Sequence, residues 1–388
     1  MTVLPEVEPL RIGILGAARI APLSIVSPAQ ATGTRLVAVA ARDRSRAADF
    51  AAANGVERVV ESYDALLADP EIEAVYNPLA NGLHAPWNAK IAAAGKHVLA
   101  EKPSAANAAE AREVADAVRA SGVTPSRQCA DPGTRGTSES GEARRREGQI
   151  VLMEAFHYPY HPLFQRAVAL IEEGAIGEVR HIDVPLLMPD PGADDPRWRL
   201  DLAGGSTMDL GCYSLSCLAL LGERFCGGSL TIREADAVER DGHPGVDSHL
   251  FVSGDFPSGA TGSGGSDMDA DDWSFTLVVT GSEGELVIPS FPLPHQDDRL
   301  ILRHTAAAPR ARRRPDEAAD LTSEREDDVV EHLGNRSSYT YQLEAFAAAV
   351  RGGAPVVTDA EFAVRNMALV DASYTAAGLP VRESAARS

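Results

Sequence analysis

A lysine at the end of an apolar run is the first residue whose surroundings suggest chemistry. In His97-Val-Leu-Ala-Glu-Lys-Pro103 the run closes on Glu101 and Lys102, and Pro103 keeps Lys102 out of the helical region. An ammonium pinned there can stabilise negative charge growing on a substrate oxygen. Further on, Gly204-Gly-Ser-Thr-Met-Asp-Leu-Gly-Cys-Tyr213 sets Asp209 and Tyr213 four residues apart, on one face of a helix. A carboxylate and a phenol so spaced suit a proton relay, and a nearby ammonium would favour phenolate. Lys102, Tyr213 and Asp209 are therefore the candidate catalytic residues, with the immediate proton acceptor open between Lys102 and Tyr213. Gly204 and Gly205 read as a flexible entry, Ser206 as the helix cap, and Ser206-x-x-Asp209 also fits a capping box in which the acid is structural.

A second group could hold phosphates. In Arg11-Ile-Gly-Ile-Leu-Gly-Ala-Ala-Arg-Ile-Ala21 an apolar strand turns at Gly16 toward a helix. Aligned on the dinucleotide fingerprint this gives Gly16, Ala18 and Ala21, with Gly13 upstream and alanine in place of the second glycine. Backbone N–H groups along Ala17, Ala18, Arg19 and Ile20 would form the anion site at the helix start. About 25 residues on, Ala41-Arg-Asp-Arg44 closes the next strand. Arg42 suits a 2′-phosphate and points to NADP; Asp43 leaves NAD open.

These groups need a scaffold. Apolar runs at Arg11–Leu15, 35–40, 74–76 and 97–100 alternate with alanine-rich helical stretches at 45–54, 63–68, 85–94 and 105–120, which reads as βαβ units and a parallel sheet. Residues 151–155 should extend that sheet. The polar stretch 121–148 reads as a loop insertion. After Tyr160 the pattern changes to a helix at 162–173 and then strands at 179–187, 229–234, 248–256, 274–280, 284–288 and 299–303. A charged stretch at 306–331 reads as an exposed loop, and helices are expected at 339–351 and 361–377. The predicted fold class is thus an α/β doubly wound Rossmann domain, residues 1–155, followed by an α+β domain, residues 156–388, with a large, mainly antiparallel open sheet.

Composition narrows the partners. The 388 residues carry 36 basic and 56 acidic side chains, a net charge of −20, which disfavours nucleic acid and anionic membranes. No run of 18 apolar residues suggests a membrane span. Cys129, Cys212, Cys217 and Cys226 form no CxxC pair and have no histidines at zinc spacing, so neither a metal site nor a disulfide framework is expected. A reducing cytoplasm is the expected compartment.

The motifs taken together resemble the Gfo/Idh/MocA family of NAD(P)-dependent oxidoreductases. The turn at Gly16, Tyr76-Asn-Pro-Leu-Ala-Asn81-Gly-Leu-His84, Ala94-Gly-Lys-His-Val-Leu-Ala-Glu-Lys-Pro103, Val151-Leu-Met-Glu-Ala-Phe-His-Tyr-Pro-Tyr-His-Pro162, the Gly204–Tyr213 helix and Tyr341-Gln-Leu-Glu-Ala-Phe346 occur in the family's order along nearly the whole chain. Met153-Glu-Ala-Phe156 and Tyr213 point to the subgroup of trans-1,2-dihydrobenzene-1,2-diol and NADP-dependent D-xylose dehydrogenases, although Pro159 stands where that subgroup has arginine. The resemblance implies hydride transfer between a nicotinamide and a hydroxyl or carbonyl of a sugar, polyol or cyclic diol. It implies Lys102 in the active site, and Pro78, Asn81, His84 and Glu101 along the cofactor channel. Phe156, His157 and Trp198 join Lys102 and Tyr213 as candidate substrate contacts, with core or crossover packing as the alternative for Trp198, His157 and His161. It also implies a homodimer or higher homo-oligomer. Alternative functions are a ketoreductase of deoxysugar biosynthesis and a non-catalytic NADP-binding regulator on the same fold.

Overall fold

The computed structural model describes residues 8–121, 149–304 and 322–383. Its first sheet has six parallel strands in the order β3-β2-β1-β4-β5-β6. These are β1 Arg11–Leu15, β2 Arg35–Ala40, β3 Arg58–Val59, β4 Ala74–Asn77, β5 His97–Ala100 and β6 Leu152–Glu154. Helices α1 Ser27–Thr32, α2 Arg44–Asn54, α3 Tyr63–Ala68, α4 Asn81–Ala93 and α5 Ala108–Ser121 alternate with them. Strands β2, β4 and β5 are buried along nearly their whole length, as expected for a parallel sheet covered on both faces. Gly13 sits inside β1, where an added Cβ would press on Leu66 and Ile72. It therefore serves packing against α3. The expected insertion at 121–148 lies outside the described residues except for Ser121, which closes α5 as helix. Cys129 lies outside them as well.

Helix α6 (Pro162–Glu172) follows, its start capped by the His161 ring, whose Nδ1 accepts from the Leu163 N–H. The second sheet then runs through β7 Val179–Leu187, β8 Thr231–Glu239, β9 Asp247–Asp255, β10 Thr261–Asp267, β11 Ser274–Phe275, β12 Leu277–Gly281, β13 Gly284–Ile288, β14 Arg299–His304 and β15 Val329–His332. Its pairs are antiparallel except β7 with β10. Strand β10 escapes a hydropathy reading because Thr-Gly-Ser-Gly-Gly-Ser-Asp has no apolar side chain. Its small residues let helix α7 (Cys212–Phe225) lie close against the sheet: a Cβ on Gly264 would collide with Ser214 and Leu218. The charged stretch expected as a loop at 306–331 is corrected at its end, where Val329 begins β15 beside β14; residues 306–321 are outside the described set.

Two last helices return toward the first sheet. Helix α8 (Ser338–Gly352) puts Leu343 and Phe346 into the same apolar cluster as Ile12, Ile25 and Leu99. Helix α9 (Ala360–Ala376) packs on α5 and α7, starting from an Asp359 cap. Tyr339, at the head of α8, is thereby carried next to the carboxyl ends of the parallel strands.

Candidate active site

Those strand ends open onto a cleft made of two cavities of about 1110 and 560 Å³, which share Ala18, Pro78, Leu79, Ala80 and Leu202. In an open α/β sheet this edge is where ligands bind. The larger cavity is bordered by Gly16, Ala17, Ala18, Arg42, Arg46 and Tyr63. Gly16 has a positive φ of 81°, and an added Cβ would meet Leu79 at 3.1 Å. Among the described residues no acceptor takes a hydrogen bond from the N–H groups of Ala17 and Ala18, so the turn retains donors for an anion despite alanine at the second glycine position.

The strand-end pair Arg42-Asp43 divides its work. Asp43 is the cap of α2: its Oδ1 accepts from Ser45 N at 2.9 Å, Ser45 Oγ at 2.7 Å and Arg46 N at 3.3 Å. These bonds, that from Ser45 Oγ first, hold its carboxyl below the usual range. A carboxylate turned to its own helix is poorly placed for a ribose hydroxyl. Arg42 and Arg46 line the cavity together with Asp43, and Arg46 is a residue that the sequence reading missed.

The smaller cavity joins residues far apart in the chain. Lys102 Nζ donates to the backbone carbonyl of Asp209 and lies 3.2 Å from its Oδ1. Burial works against the ammonium, but the charge and hydrogen bond of Asp209, joined by the charges of Cys212 and Glu101, together outweigh it and lift the Lys102 pKa above the ordinary lysine value. Asp209 is partly buried, which works against its charge, but Lys102 and Arg197 together hold its carboxyl below the usual range. The pairing extends into a chain of alternating charge. Arg197 is 3.1 Å from Asp209 and 2.9 Å from Asp195, and Arg19 is 2.8 Å from Asp195. This chain ties the glycine turn to the Lys102 end. Neither Asp195 nor Arg197 was singled out from sequence.

Tyr213 lies beside this pair, with Lys102 Nζ 5.2 Å from its ring centroid. Its hydroxyl is 3.0 Å from His157 Nε2, and His157 Nδ1 is 2.8 Å from Ser338 Oγ. Ser338 donates to the Pro292 carbonyl, so the network assigns the proton of neutral His157 to Nδ1 and leaves Nε2 to accept from Tyr213. Burial, with the Lys102 ammonium second, pushes the His157 pKa down to about 3. Burial pushes the Tyr213 phenol well above its ordinary value. The expectation of a phenol made acidic by Lys102 is therefore corrected: the ammonium faces the ring, and desolvation prevails.

Other expected positions sort by accessibility. Pro78, Asn81, His84, Glu101, Arg19 and Ile20 line the smaller cavity. The His84 ring nitrogens are 2.7 Å from the carbonyl oxygens of Pro103 and Leu79, and burial holds its pKa down to about 4. Glu101 accepts from Tyr76 at 2.6 Å, and burial raises its pKa. Phe156 and Trp198 are fully buried, so the expectation that they touch substrate is corrected. Phe156 packs edge-on against Tyr213 at 5.2 Å, and Trp198 lies in the core with the Arg240 guanidinium 4.7 Å from its ring. His161 is a helix cap. Tyr339 and Trp273 line the cavity without having been expected; Tyr339 stacks on His157 with ring centroids 3.8 Å apart.

The helix bearing Asp209 and Tyr213 is fixed from outside. Ser206 does not cap it; its hydroxyl pairs with Ser266 Oγ at 2.7 Å. Asp247 of β9 takes that role, its Oδ2 accepting from Thr207 N at 2.7 Å and Thr207 Oγ1 at 2.6 Å. Asp247 also pairs with the buried Arg382 at 2.6 Å. A Cβ at Gly205 would strike both, and one at Gly204 would strike the backbone of Arg197 and Arg199, so the two glycines serve close packing and are not a flexible entry. At the end of β6, buried Glu154 accepts from Ser104 N at 2.7 Å, and burial pushes its pKa to about 7.

Known proteins share this arrangement of chain. Residues 10–127 match an oxidoreductase family with an NAD-binding Rossmann fold, and residues 164–287 match the GFO/IDH/MocA C-terminal domain. D-xylose 1-dehydrogenase (NADP(+)) 2 of Haloferax volcanii is 36% identical over 372 residues, covering 95% of this chain and 97% of that protein. A dTDP-3,4-didehydro-2,6-dideoxy-alpha-D-glucose 3-reductase of Streptomyces violaceoruber is 34% identical over 301 residues, 76% of this chain and 78% of its own. A 3-ketoreductase of Actinomadura kijaniata, solved with NADP and TDP-benzene, superposes with a TM-score of 0.75 at 26% identity, covering 95% of this chain and 98% of its own.

Proposed function

The chain belongs to the Gfo/Idh/MocA family of oxidoreductases, and from that premise we propose that it is an NADP-dependent dehydrogenase or reductase acting on a hydroxyl or carbonyl of a sugar, polyol or cyclic diol. The donor set suits that cofactor. Backbone at Ala17 and Ala18 would hold the diphosphate, Arg42 and Arg46 the 2′-phosphate, and Pro78, Asn81, His84 and Glu101 the path to Lys102. When bound, the nicotinamide supplies or accepts the hydride.

Everything else is the work of the chain. An ammonium has three donors; Asp209 takes two of those on Lys102, and the third is left for the substrate oxygen. Because Asp209 keeps Lys102 protonated, the resting site is set to donate a proton to a carbonyl oxygen as it is reduced. In the oxidative direction the reverse holds: Lys102 in its neutral form takes the hydroxyl proton as hydride leaves the substrate carbon. Tyr213 donates its one proton to a neutral His157 of very low basicity, and its phenol oxygen is left to accept from a substrate hydroxyl and orient it. Lys102 rather than Tyr213 is thus the proton-bearing group. Asp209, Arg197 and Asp195 are positioning residues.

The observation that carries this reading is the Lys102–Asp209 pair in the wall of the cleft. The test is A340 followed with NADPH and a panel of ketosugars, and with NADP and free sugars. Turnover in either direction supports the proposal; NADPH binding with no turnover across both panels contradicts it and favours the regulator. A deoxysugar ketoreductase is the second reading, supported by the reductase relatives.

Division into residues 1–155 and 156–388, with α8 returning to the first sheet, is part of the same proposal. So are a reducing cytoplasm, supported by free buried Cys212, Cys217 and Cys226, and a homodimer or higher homo-oligomer, which light scattering would check. Among the described residues no helix is long and apolar enough to cross a membrane.

A further inference from the structure

The substrate end of the cleft contains an aromatic side chain that the chemistry above does not use. Trp273 is 60% exposed, yet it lines the cavity beside Phe275, Met188, Leu210 and Leu293. Its ring packs edge-on against Phe275 with centroids 5.5 Å apart, which supports one edge and leaves most of the indole open. The same cavity is lined by Lys102, Asp209, Arg197 and His157. The lining thus combines apolar and aromatic side chains with a set of hydrogen-bonding groups. A ring with C–H bonds on its face and hydroxyls at its rim matches both.

Charge argues in the same direction. Among the described residues the lysines and arginines lining this cavity are Arg19, Lys102 and Arg197, and each is already in an ion pair with Asp195 or Asp209. The segment leading to Trp273 adds exposed Asp269, Asp271 and Asp272. A diphosphate entering here would meet carboxylates and find its cationic partners engaged, an unfavourable juxtaposition of like charge.

We infer that Trp273 is the platform on which an uncharged carbohydrate ring lies, and that the cleft selects free sugars over nucleotide-diphosphate sugars. This deepens the oxidoreductase reading and rests on it for turnover, but not for binding. Trp273 is a specificity residue in this account.

The test is calorimetric titration of the NADP-loaded full chain with D-xylose, D-glucose and dTDP, beside steady-state A340 assays. Stacking of this kind is worth about a three- to tenfold change in affinity. Trp273→Ala should weaken binding of the better sugar and raise its KM by about that factor, more than it lowers kcat. Trp273→Phe should recover most of the loss, and dTDP should neither bind nor compete with sugar. Equal sugar affinity in Trp273→Ala and the natural chain, failure of both sugars to bind, or dTDP competing at micromolar concentration would overturn the inference. Sugar binding that depends on Trp273 without any A340 change would uphold it while removing the oxidoreductase reading; turnover with a KM indifferent to Trp273 would do the reverse.

Discussion

At the Gly16–Arg42 end of the cleft the wall beside the first strand–helix turn is backbone and small side chains, Gly16, Ala17, Ala18 and Ala41, with longer side chains such as Arg42, Arg46 and Tyr63 around it. At the Lys102 end it is a dense set of ionised and aromatic side chains from β5, α7, α8 and the segments before them. The first end binds through donors that any sequence with the right turn offers, which is why alanine at position 18 is tolerated. The second depends on particular charges held against a desolvation cost, each by the next: Lys102 by Asp209, Asp209 by Arg197, Arg197 by Asp195. One end is built locally, the other by long-range packing, and they should respond differently to substitution.

The sharpest contrast is expected from Lys102→Ala. Removing the proton-bearing group should lower kcat by about 10²–10⁴-fold, while NADP affinity, measured by fluorescence titration, changes little. A comparable loss of NADP affinity would merge the two ends into one unit. Asp247→Ala tests whether the reaction end hangs on distant packing. It leaves the fully buried Arg382 without its ion partner and uncaps the segment before Asp209, so thermal denaturation should show a loss of about 3–5 kcal/mol. Arg42→Ala addresses the other end alone. The KM for NADP should rise roughly tenfold, as for a lost charge-assisted contact, with KM for NAD and kcat nearly unchanged; equal effects on the two cofactors would remove Arg42 from the 2′-phosphate site.

The same contrast explains what the sequence made legible. Strand β1, its turn at Gly16 and the Arg42-Asp43 pair are contiguous signals, and the parallel sheet follows from alternation of apolar runs with alanine-rich helices. Lys102 was legible because Pro103 and the strand end mark it locally. Arg197 was not. It stands beside Trp198 in a single turn, Pro196–Trp198, whose neighbouring side chains point opposite ways, one into the cleft and one into the core. The Asp43 side chain was ambiguous until its bonds to Ser45 and Arg46 were seen. Asp247 could not be assigned as the cap of a helix start 40 residues away, and the Ser206-x-x-Asp209 spacing imitated a local cap instead. Strand β10 was hidden because its glycines and serines serve the close approach of α7. In each case the missing information was tertiary.

The central claim is that Asp209 keeps the Lys102 ammonium charged against burial. The pH dependence of kcat in the natural chain and in Asp209→Asn tests it most directly. In the natural chain the Lys102 pKa is raised above the ordinary lysine value, so activity that needs the ammonium should persist until the pH climbs through that raised value. Without the carboxylate, burial acts unopposed by Asp209 and the ammonium is lost earlier. The account predicts an alkaline limb displaced to lower pH by about one unit or more, equivalent to about 1.4 kcal/mol per unit; an alkaline limb that stays in place in Asp209→Asn would contradict it.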